Sequence, residues 1–381
     1  MSTTTYAIRG RMLFGTSLEP GTLVVSGDQI ERIVRGHDRN GDLPGMVLDA
    51  AIVSPGMIDL QVNGADGVEA DDHPRHIEQI SRWSVKSGVT AWLPTVVTAP
   101  ADLYPRVFDG WTEVDTTIGA TPLGWHLEGP FLSPARKGAH QLRYIEGATE
   151  DIFANWLDQD SIRLVTLAPE RDGAHDKIRK LVDRGVLVSL GHTDATYDEF
   201  RAGVDLGATK ATHLFNAMSP MHHRNPGAMI ATMTDDRVTA GIIPDAVHSH
   251  PATVRLAIQA KGPDRIAVVS DMISSAGLGP GVYDLGGQQV HVDETTAKLE
   301  DGTLAGSVLT MDQAVRNLVE WGNVPVGAAL HMCTNVPARL LDDATRGRLV
   351  AGLRADLTLW SADLTVERTI VGGVVQHGGQ P

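Results

Sequence analysis

The sequence predicts an α/β protein built around a (β/α)8 barrel of the TIM type, with a small β domain assembled from both ends of the chain. Eight short apolar segments alternate with helix-like or loop segments between about residues 55 and 345. Continuous apolar segments of this kind are typical of parallel strands buried on both faces. The two ends of the chain instead show alternating apolar and polar residues with glycine turns, the pattern of half-exposed strands.

The terminal segments are too short to form a core separately. Residues 22–36 (TLVVSGDQIERIVRG) alternate in polarity, and Gly27-Asp28 is the predicted hairpin turn. Near the other end, residues 355–360 (ADLTLW) and 366–376 (VERTIVGGVVQ) are also strand-like, with a break at Gly372-Gly373. We therefore expect residues 1–54 and 346–381 to combine into one small β-sandwich domain, with a catalytic barrel, residues 55–345, between them.

The barrel prediction depends on eight consecutive strand-then-helix units. Nearly 300 residues suit a fold that usually takes about 250 with room for insertions. An open, doubly wound sheet is the alternative fold. In order, the predicted strands are MIDLQVNG (57–64), VTAWLPTVV (89–97), PLGWHLEG (122–129), IRLVTLAPE (162–170), VLVSLGHT (186–193), ATHLFNA (211–217), VTAGIIPD (238–245) and IAVVSDM (266–272).

Composition excludes several classes of function. The 381 residues include 47 acidic residues and 32 lysines and arginines, a formal charge of -15. An acidic chain lacks the basic footprint of nucleic-acid-binding proteins, so no nucleic-acid partner is expected. The sequence has no apolar segment of about 20 residues, so no membrane association is expected either. Its first residues, MSTTTYAIRGRMLFG, do not resemble a signal peptide, and we expect a cytoplasmic protein.

The single cysteine, Cys333, limits the metal chemistry that this chain can support. It excludes a disulfide framework within the chain, an iron–sulfur cluster and an all-cysteine zinc site. Any metal bound by this chain must therefore have nitrogen and oxygen ligands.

Polar side chains occur where the predicted barrel strands end. Glu128, His192, His213 and Asp271 each follow or end a buried strand, and the carboxyl ends of barrel strands converge on the face that carries active sites. Each histidine alone could be an ordinary hydrogen-bonded core residue. Together, one glutamate and two histidines provide three ligands and leave a position open for water, as in catalytic zinc sites. His126 lies on the same strand face as Glu128, and we interpret it as a neighbour of the ligands.

Asp271 completes this pattern as a carboxylate outside the ligand set. It could accept a proton from water activated by the metal. The residues therefore predict metal-assisted hydrolysis at the carboxyl ends of the strands.

Seven motifs, in order over nearly the whole chain, resemble those of the amidohydrolase superfamily, and within it the deacetylases of phosphorylated amino sugars. The segment GLRADLTLW (352–360) is similar to the superfamily's return strand to the small sheet domain. The motifs are PGMIDLQVNG (55–64), HLEGPFLSPARKGAH (126–140), GHTDATYDE (191–199), THLFNAM (212–218), GIIPDAVH (241–248), SDMISSAG (270–277) and TLAGSVLTM (303–311).

This resemblance implies removal of acetate from N-acetyl-D-glucosamine 6-phosphate to give D-glucosamine 6-phosphate. It implies Glu128, His192 and His213 as metal ligands and Asp271 as the catalytic carboxylate. It also implies a homodimer and one divalent ion per subunit, Zn2+ first and Fe2+, Mn2+ or Co2+ as alternatives. The substrate-binding residues that it implies are Ala139 and His140 near the amide, Asn216 and Ala217 at the sugar, Arg224 at the phosphate, His248, and Leu304 and Ala305 in a closing loop.

Two features refine this expectation. Many amidohydrolases begin the barrel with two histidines that help to hold a second metal, whereas this sequence has Gln61 and Asn63 there, both poor ligands. A single metal is therefore predicted. The loop MHHRNPG (221–227) suits a phosphate through Arg224, because a guanidinium offers a planar fork to phosphate oxygens. The roles of His222 and His223 stay open.

Two other functions fit parts of the pattern. Another amidohydrolase reaction on the same scaffold, such as hydrolysis of a cyclic amide or an N-acyl amino acid, keeps the metal and Asp271 but does not need Arg224. A catalytically inactive relative would be expected to lack some ligands or the aspartate, and all four residues are present.

Overall fold

A computed structural model describes residues 4–36, 43–71 and 73–379. The parts of the predicted small domain at 1–3, 37–42 and 380–381, and barrel residue 72, lie outside the described residues. The strands are β1 (Thr5–Phe14), β2 (Ser17–Ser26), β3 (Gln29–Arg35), β4 (Val47–Pro55), β5 (Met57–Val62), β6 (Gly64–Ala65), β7 (Val68–Glu69), β8 (Val89–Val97), β9 (Thr121–Pro122), β10 (Trp125–Glu128), β11 (Ile162–Leu167), β12 (Leu187–Leu190), β13 (Lys210–Ala211), β14 (Thr239–Ile242), β15 (Ile266–Val268), β16 (Gly281–Leu285), β17 (Gln288–Val292), β18 (Ala297–Lys298), β19 (Leu357–Trp360), β20 (Val366–Val371) and β21 (Val374–His377).

The helices lie mostly between the barrel strands. They are α1 (Pro74–Ser84), α2 (Leu103–Trp111), α3 (Leu142–Glu146), α4 (Glu150–Trp156), α5 (Ala174–Asp183), α6 (Tyr197–Asp205), α7 (Gly227–Thr234), α8 (Pro251–Lys261), α9 (Met311–Glu320), α10 (Val326–Cys333) and α11 (Asn335–Leu340). Within the described ranges, none of them combines the length and hydrophobicity that a membrane crossing requires.

The two ends of the chain combine into one small β domain, as predicted, and this domain is a single seven-stranded mixed sheet. Its strand order is β21-β20-β19-β4-β1-β2-β3, with β1 and β4 parallel and the other neighbours antiparallel. The hairpin between β2 and β3 turns at Gly27-Asp28, and Ser26 pairs with Gln29. Alternate residues of β1, including Tyr6 and Ile8, face a separate hydrophobic core. The boundaries at 54 and 346 stay a prediction.

The barrel contains the eight predicted strands in parallel order. Neighbouring strands follow the path β5-β8-β10-β11-β12-β13-β14-β15, and a parallel bridge between Val62 and Met272 nearly closes the circle. This closure excludes the open doubly wound alternative. Its consequence is that the residues after each strand meet on one rim.

Local sequence signals explain how a helix is placed behind its strand. At the start of α6, Glu199 N–H donates to Thr196 Oγ1 at 3.3 Å, and Thr196 N–H donates to Glu199 Oε2 at 2.8 Å. This reciprocal capping satisfies backbone donors that the first turn leaves without partners. The buried face of α6, with Phe200 and Val204, then packs into the barrel core.

A small antiparallel sheet, β16–β18, follows the eighth barrel strand and was not predicted. Its β16–β17 turn is Gly286-Gly287, and both glycines have positive φ, 56° and 76°. Such values suit the tight turns that match the twist of a hairpin. Leu285 and Val290 from this sheet pack with Ile273, so the insertion lies against the rim of the barrel.

A candidate metal centre at the rim of the barrel

Four predicted functional side chains meet at the carboxyl ends of the strands. Glu128 ends β10, while His192, His213 and Asp271 follow β12, β13 and β15, and all four are buried. The backbone φ of His192, His213 and Asp271 is 46°, 27° and 52°. Residues with a Cβ are uncommon in this left-handed region, and the strain is tolerated where the surrounding structure enforces it. The turns after the strands thus aim these side chains into the site.

Glu128, His192 and His213 have the geometry of a ligand set. His213 Nε2 lies 3.1 Å from Glu128 Oε1 and 3.1 Å from His192 Nε2, and His192 Nε2 lies 3.5 Å from Glu128 Oε1. Two ligands of a tetrahedral ion with bonds of about 2.1 Å are separated by about 3.4 Å. The three donor atoms therefore fit a single divalent ion.

The orientation of His192 leaves the correct ring nitrogen available. Its Nδ1–H donates to the carbonyl oxygen of Arg136 at 2.9 Å, so Nε2 is the ring nitrogen that faces Glu128 and His213. Gly138 lies against this ring, since a Cβ there would be 3.0 Å from His192 Cε1. Burial lowers the pKa of His192, but the Glu128 carboxylate outweighs burial and raises it overall.

The Glu128 carboxylate is ionised in spite of its burial. Burial acts to raise its pKa, but the hydrogen bonds and charges of His192 and His213 hold the pKa well below its usual value. Gln61 Nε2 also donates to Glu128 Oε1 at 3.0 Å. Glu128 is therefore prepared as an anionic ligand.

Asp271 is held by amides of the first barrel strand. Its Oδ1 accepts from Gln61 Nε2 at 3.0 Å and from Asn63 Nδ2 at 2.8 Å. Burial, reinforced by the Glu128 charge, raises the pKa of Asp271 to about 6. The carboxylate is thus mostly ionised at neutral pH and close enough to its pKa to exchange a proton. Gln61 and Asn63 direct their amide donors at these carboxylates, and the prediction that neither residue binds a metal stays a prediction.

His140 also borders the ligand atoms, but as a donor. His140 Nε2 lies 3.2 Å from His192 Nε2. One ring nitrogen of His140 also lies within 4.8 Å of the candidate ligand atoms of both Glu128 and His192. However, His140 Nδ1 accepts the backbone N–H of Thr98 at 3.2 Å. Burial, with the nearby His192 charge, lowers the pKa of His140 to about 3, so the ring is neutral. The proton must then be on Nε2, which makes this atom a hydrogen-bond donor into the site.

His126 belongs to the layer beneath. Its Nε2 lies 2.8 Å from Thr166 Oγ1 and its Nδ1 lies 3.3 Å from Thr95 Oγ1. Burial lowers its pKa to about 3. With both ring nitrogens occupied by hydroxyl groups, His126 is a neighbour of the ligands, as predicted.

His248 lies at the cavity in contact with a carboxylate, Asp245. Its Nδ1 lies 2.6 Å from Asp245 Oδ2, and its backbone N–H donates to Asp245 Oδ1 at 2.7 Å. Burial lowers the pKa of His248, but the hydrogen bond and charge of Asp245 outweigh burial and raise it. The ring therefore favours its protonated form, which suits an anionic substituent.

These side chains surround a cavity of about 350 Å³. The predicted residues that line it are Asn63, Glu128, Ala139, His140, His192, His213, Asn216, Ala217, His248, Asp271 and Leu304. Ala305 points away and is buried in the core of the β16–β18 insertion. Gln61 lies behind Glu128 and Asp271 and reaches the cavity only through them.

Several lining residues were missed from the sequence. They include Thr98, Leu285, Gly286 and Gln288. Arg136 and Gln141 also line the cavity, from the loop that carries Ala139 and His140. Gln141 Nε2 donates to the Gly286 carbonyl at 2.6 Å, and Gln288 Nε2 donates to the Ala139 carbonyl at 2.7 Å. These two bonds fasten the insertion to the loop that carries His140. The only sequence signal was the Gly286-Gly287 turn.

Arg224 lies outside this cavity. It is on the exposed loop before α7, where its Nη1 lies 2.8 Å from His223 Nε2 and its backbone N–H donates to His222 Nδ1 at 3.3 Å. The structure therefore does not bring Arg224 to the site of its own chain, although it does bring His248 there.

Comparison with known proteins agrees with this geometry. A model of the amidohydrolase family matches residues 52–375. N-acetylglucosamine-6-phosphate deacetylase of Lysinibacillus sphaericus is 37% identical over 329 residues, covering 84% of each chain. N-acetylgalactosamine-6-phosphate deacetylase of Escherichia coli O157:H7 is 37% identical over 332 residues, covering 85% of this chain and 88% of the relative.

Two solved structures have the same architecture over the full length. N-acetylglucosamine-6-phosphate deacetylase from Pasteurella multocida superposes with a TM-score of 0.92 at 32% identity, covering 98% of this chain and 99% of that chain. A variant of the Mycobacterium smegmatis enzyme, in complex with N-acetyl-D-glucosamine-6-phosphate, gives a TM-score of 0.90 at 34% identity and the same coverage. The chain therefore belongs to the amidohydrolase family, and within it to the N-acetylglucosamine-6-phosphate deacetylases.

Proposed function

We propose that this chain hydrolyses the N-acetyl group of N-acetyl-D-glucosamine 6-phosphate, releasing D-glucosamine 6-phosphate and acetate in amino-sugar metabolism. The observation that carries the proposal is the Asp271 carboxylate, held by two amide donors beside a three-ligand set at one cavity. The named relatives and the M. smegmatis complex support the choice of substrate. The cytoplasmic location expected from the sequence stays a prediction.

We propose one divalent ion per subunit, held by Glu128, His192 and His213. Zn2+ is the first choice, and Fe2+, Mn2+ or Co2+ also suit nitrogen and oxygen ligands. When bound, such an ion supplies Lewis acidity, which lowers the pKa of water and polarises an amide carbonyl.

The remaining chemistry belongs to side chains of this chain. Asp271 accepts a proton from water as the water oxygen attacks the acetyl carbon, and a C–O bond forms. His140 Nε2–H donates a hydrogen bond to the carbonyl oxygen, where negative charge develops. Asp271 then gives this proton to the sugar nitrogen as the C–N bond breaks, which leaves acetic acid and the free amine. Acetic acid then gives its remaining proton to the amine or to solvent, so the final products are acetate and the ammonium form of the sugar.

A direct assay tests this function against its alternatives. Purified full-length protein with measured metal content should release acetate from N-acetyl-D-glucosamine 6-phosphate. The galactosamine epimer is the second substrate to test, because a relative named for it is equally similar. Preference for the galactosamine epimer would overturn the assigned sugar, whereas activity only on cyclic amides or N-acyl amino acids would overturn the sugar class altogether.

The Arg224→Ala variant should raise KM for the phosphorylated sugar by about tenfold or more, since charge-assisted bonds to phosphate are among the strong ones. The KM for unphosphorylated N-acetyl-D-glucosamine should change little. Steady-state kinetics on both sugars measure the difference, with the exposed Arg106→Ala as the matched control. Equal effects on the two sugars would reject the phosphate role.

We propose that the enzyme is a homodimer in which Arg224 serves the cavity of the other subunit. Support comes from the position of Arg224 outside its own cavity and from Met221 on the same loop, which is 48% exposed. Both residues lie on the exposed loop before α7, where a second copy of the chain can reach them.

Mixing of subunits tests this arrangement. Arg224→Ala and Asp271→Asn chains should be unfolded and refolded together, and then assayed at substrate well below KM. If Arg224 acts across the interface, mixed dimers regain one complete site and activity exceeds the sum of the separate variants. No gain on mixing, or a monomer in sedimentation, would mean that Arg224 does not act in this way.

His248 should make substrate binding dependent on pH. Its raised pKa means that the positive charge is present below that pKa and is lost as the pH rises through it. KM for the phosphorylated sugar should therefore increase toward alkaline pH, and the His248→Asn variant should show a high KM with a flatter pH profile. A wild-type profile that is equally flat would contradict the assignment.

A further inference from the structure

A lysine is buried inside the barrel beneath the ligand set. Lys210 is on β13, is fully inaccessible to solvent, and precedes by two residues Thr212, whose hydroxyl bonds Ser189 and Thr166 within the barrel. Lys210 pairs in register with Ser189 of the neighbouring parallel strand β12, so their side chains share a face of the sheet. Gly241 leaves room for the ammonium group, because a Cβ there would lie 3.2 Å from Lys210 Nζ. Within the described part of the chain, Nζ has no hydrogen-bond partner.

Acceptors without partners are found on the first barrel strand. Asp59 is fully buried, and its Oδ1 accepts the backbone N–H groups of Gln61 and Ser270, each at 3.2 Å. Its Oδ2, like Gln61 Oε1, has no partner among the described residues. An unpaired buried charge is very costly, and ordered water usually satisfies such groups where a direct contact is missing. Lys210 Nζ and Asp59 Oδ2 are thus two buried groups of opposite charge, neither with a direct hydrogen-bond partner among the described residues.

The charges support the same connection. Burial lowers the pKa of Lys210 to about 8, opposed by the carboxylates of Glu128, Asp271 and Asp59. Burial raises the pKa of Asp59 to about 6, and the Lys210 charge opposes this rise. At neutral pH both groups therefore carry their charge, one positive and one negative, below the site.

We propose that Lys210 and Asp59 form a water-bridged charge pair that sets the affinity of the metal site, with Lys210 weakening cation binding and Asp59 strengthening it. The inference rests on the proposed function of Glu128, His192 and His213 as ligands. Its physical basis is that charges act over several ångströms in a poorly screened interior. Hydrogen bonds also connect the pair to the candidate site. Asp59 accepts the backbone N–H of Gln61, and the Gln61 side chain donates to both Glu128 and Asp271.

The test compares Lys210→Met, Asp59→Asn and the double variant as full-length, Zn2+-loaded proteins in competition with a chelator. Removing the lysine charge should tighten Zn2+ binding by about fivefold or more, and removing the aspartate charge should weaken it by a similar factor. The double variant should return to within about twofold of wild type, because the net charge is restored. Lys177→Met is the matched control: this lysine is also buried, but it contacts Glu150, Phe131 and Phe153 instead.

Melting temperature provides a readout that does not depend on metal. With chelator present, each single variant should melt below wild type because one buried charge loses its partner, and the double variant should recover part of the loss. A Lys210→Met chain that fails to fold while the double variant folds supports the pair in the same way. If both fail to fold, Asp59→Asn alone decides through its Zn2+ affinity.

Failures of the two proposals can be distinguished. If the wild-type chain does not bind one Zn2+ ion per subunit, the proposed metal site is overturned. If, in addition, the melting-temperature shifts of the two single variants add up in the double variant, the charge pair is overturned as well. Wild-type binding with single variants that match Lys177→Met, or that shift affinity in the same direction, would overturn the pair alone.

Discussion

The Asp271→Asn variant should lose at least about 100-fold in kcat while its metal content stays at the wild-type level, since general acid–base groups typically contribute 10²–10⁴-fold. The substitution removes the proton acceptor but keeps Oδ1, which receives the Gln61 and Asn63 amides. The site should therefore keep its shape. Acetate release and metal analysis on the same preparation measure both quantities.

The exposed Asp293 offers a matched control, because its Asp→Asn variant makes the same chemical change at a residue that does not line the cavity. It should have wild-type kcat. If Asp271→Asn keeps more than about a tenth of wild-type activity, which is above the range expected for a lost acid–base group, Asp271 is not the base. Loss of metal in Asp271→Asn would instead place it among the ligands.

The barrel could be predicted because buried parallel strands need continuous apolar segments, and eight of these follow one another in order. The predicted ends of these strands were less accurate than the number and order of the strands. The sixth was predicted at 211–217, but the strand is only Lys210–Ala211. His213, Phe215 and Ala217 then take positive φ values, which a pattern of residue polarity does not reveal. The turn that aims His213 at the site therefore looks like more strand in the sequence.

The β16–β18 insertion was not predicted because its strands lack the continuous apolar segments that identify the barrel strands. Residues of β16 and β17 are largely exposed or half-buried, so their apolar content is low and their segments short. Their stability comes from packing against Ile273 and from bonds such as Gln141 to Gly286, which join residues far apart in sequence. Such contacts leave no local signal.

The proposed ligand set could be predicted because its members lie at strand ends, where polar residues stand out from apolar ones. Asp59 and Lys210 were not identified from the sequence. A single polar residue in an apolar strand does not show which other residues it faces until the barrel brings the strands together. The tautomer of His140 depends on a hydrogen bond from Thr98, which again only the folded chain supplies. Arg224 shows the converse, a residue with the right chemistry that the fold keeps outside its own cavity.

The Glu128→Gln variant should lose metal as well as activity, which separates it from Asp271→Asn. Glu128 supplies the only negative charge of the proposed ligand set, and a neutral amide would also place a donor or a weaker acceptor against His192, His213 and Gln61. Zn2+ affinity should fall by at least about 100-fold, more than the 10–100-fold typical of residues that merely support a ligand.

Stability should report the same loss independently of turnover. A ligand that binds only the folded chain stabilises it by RT ln(1 + [L]/Kd), so chelator should lower the melting temperature of the wild type. It should barely change that of Glu128→Gln, while the exposed Glu146→Gln control should respond as the wild type does. A Glu128→Gln protein that keeps one tightly held ion and a chelator-sensitive melting temperature would show that the ion does not depend on the Glu128 carboxylate. Glu128 would then not be a ligand.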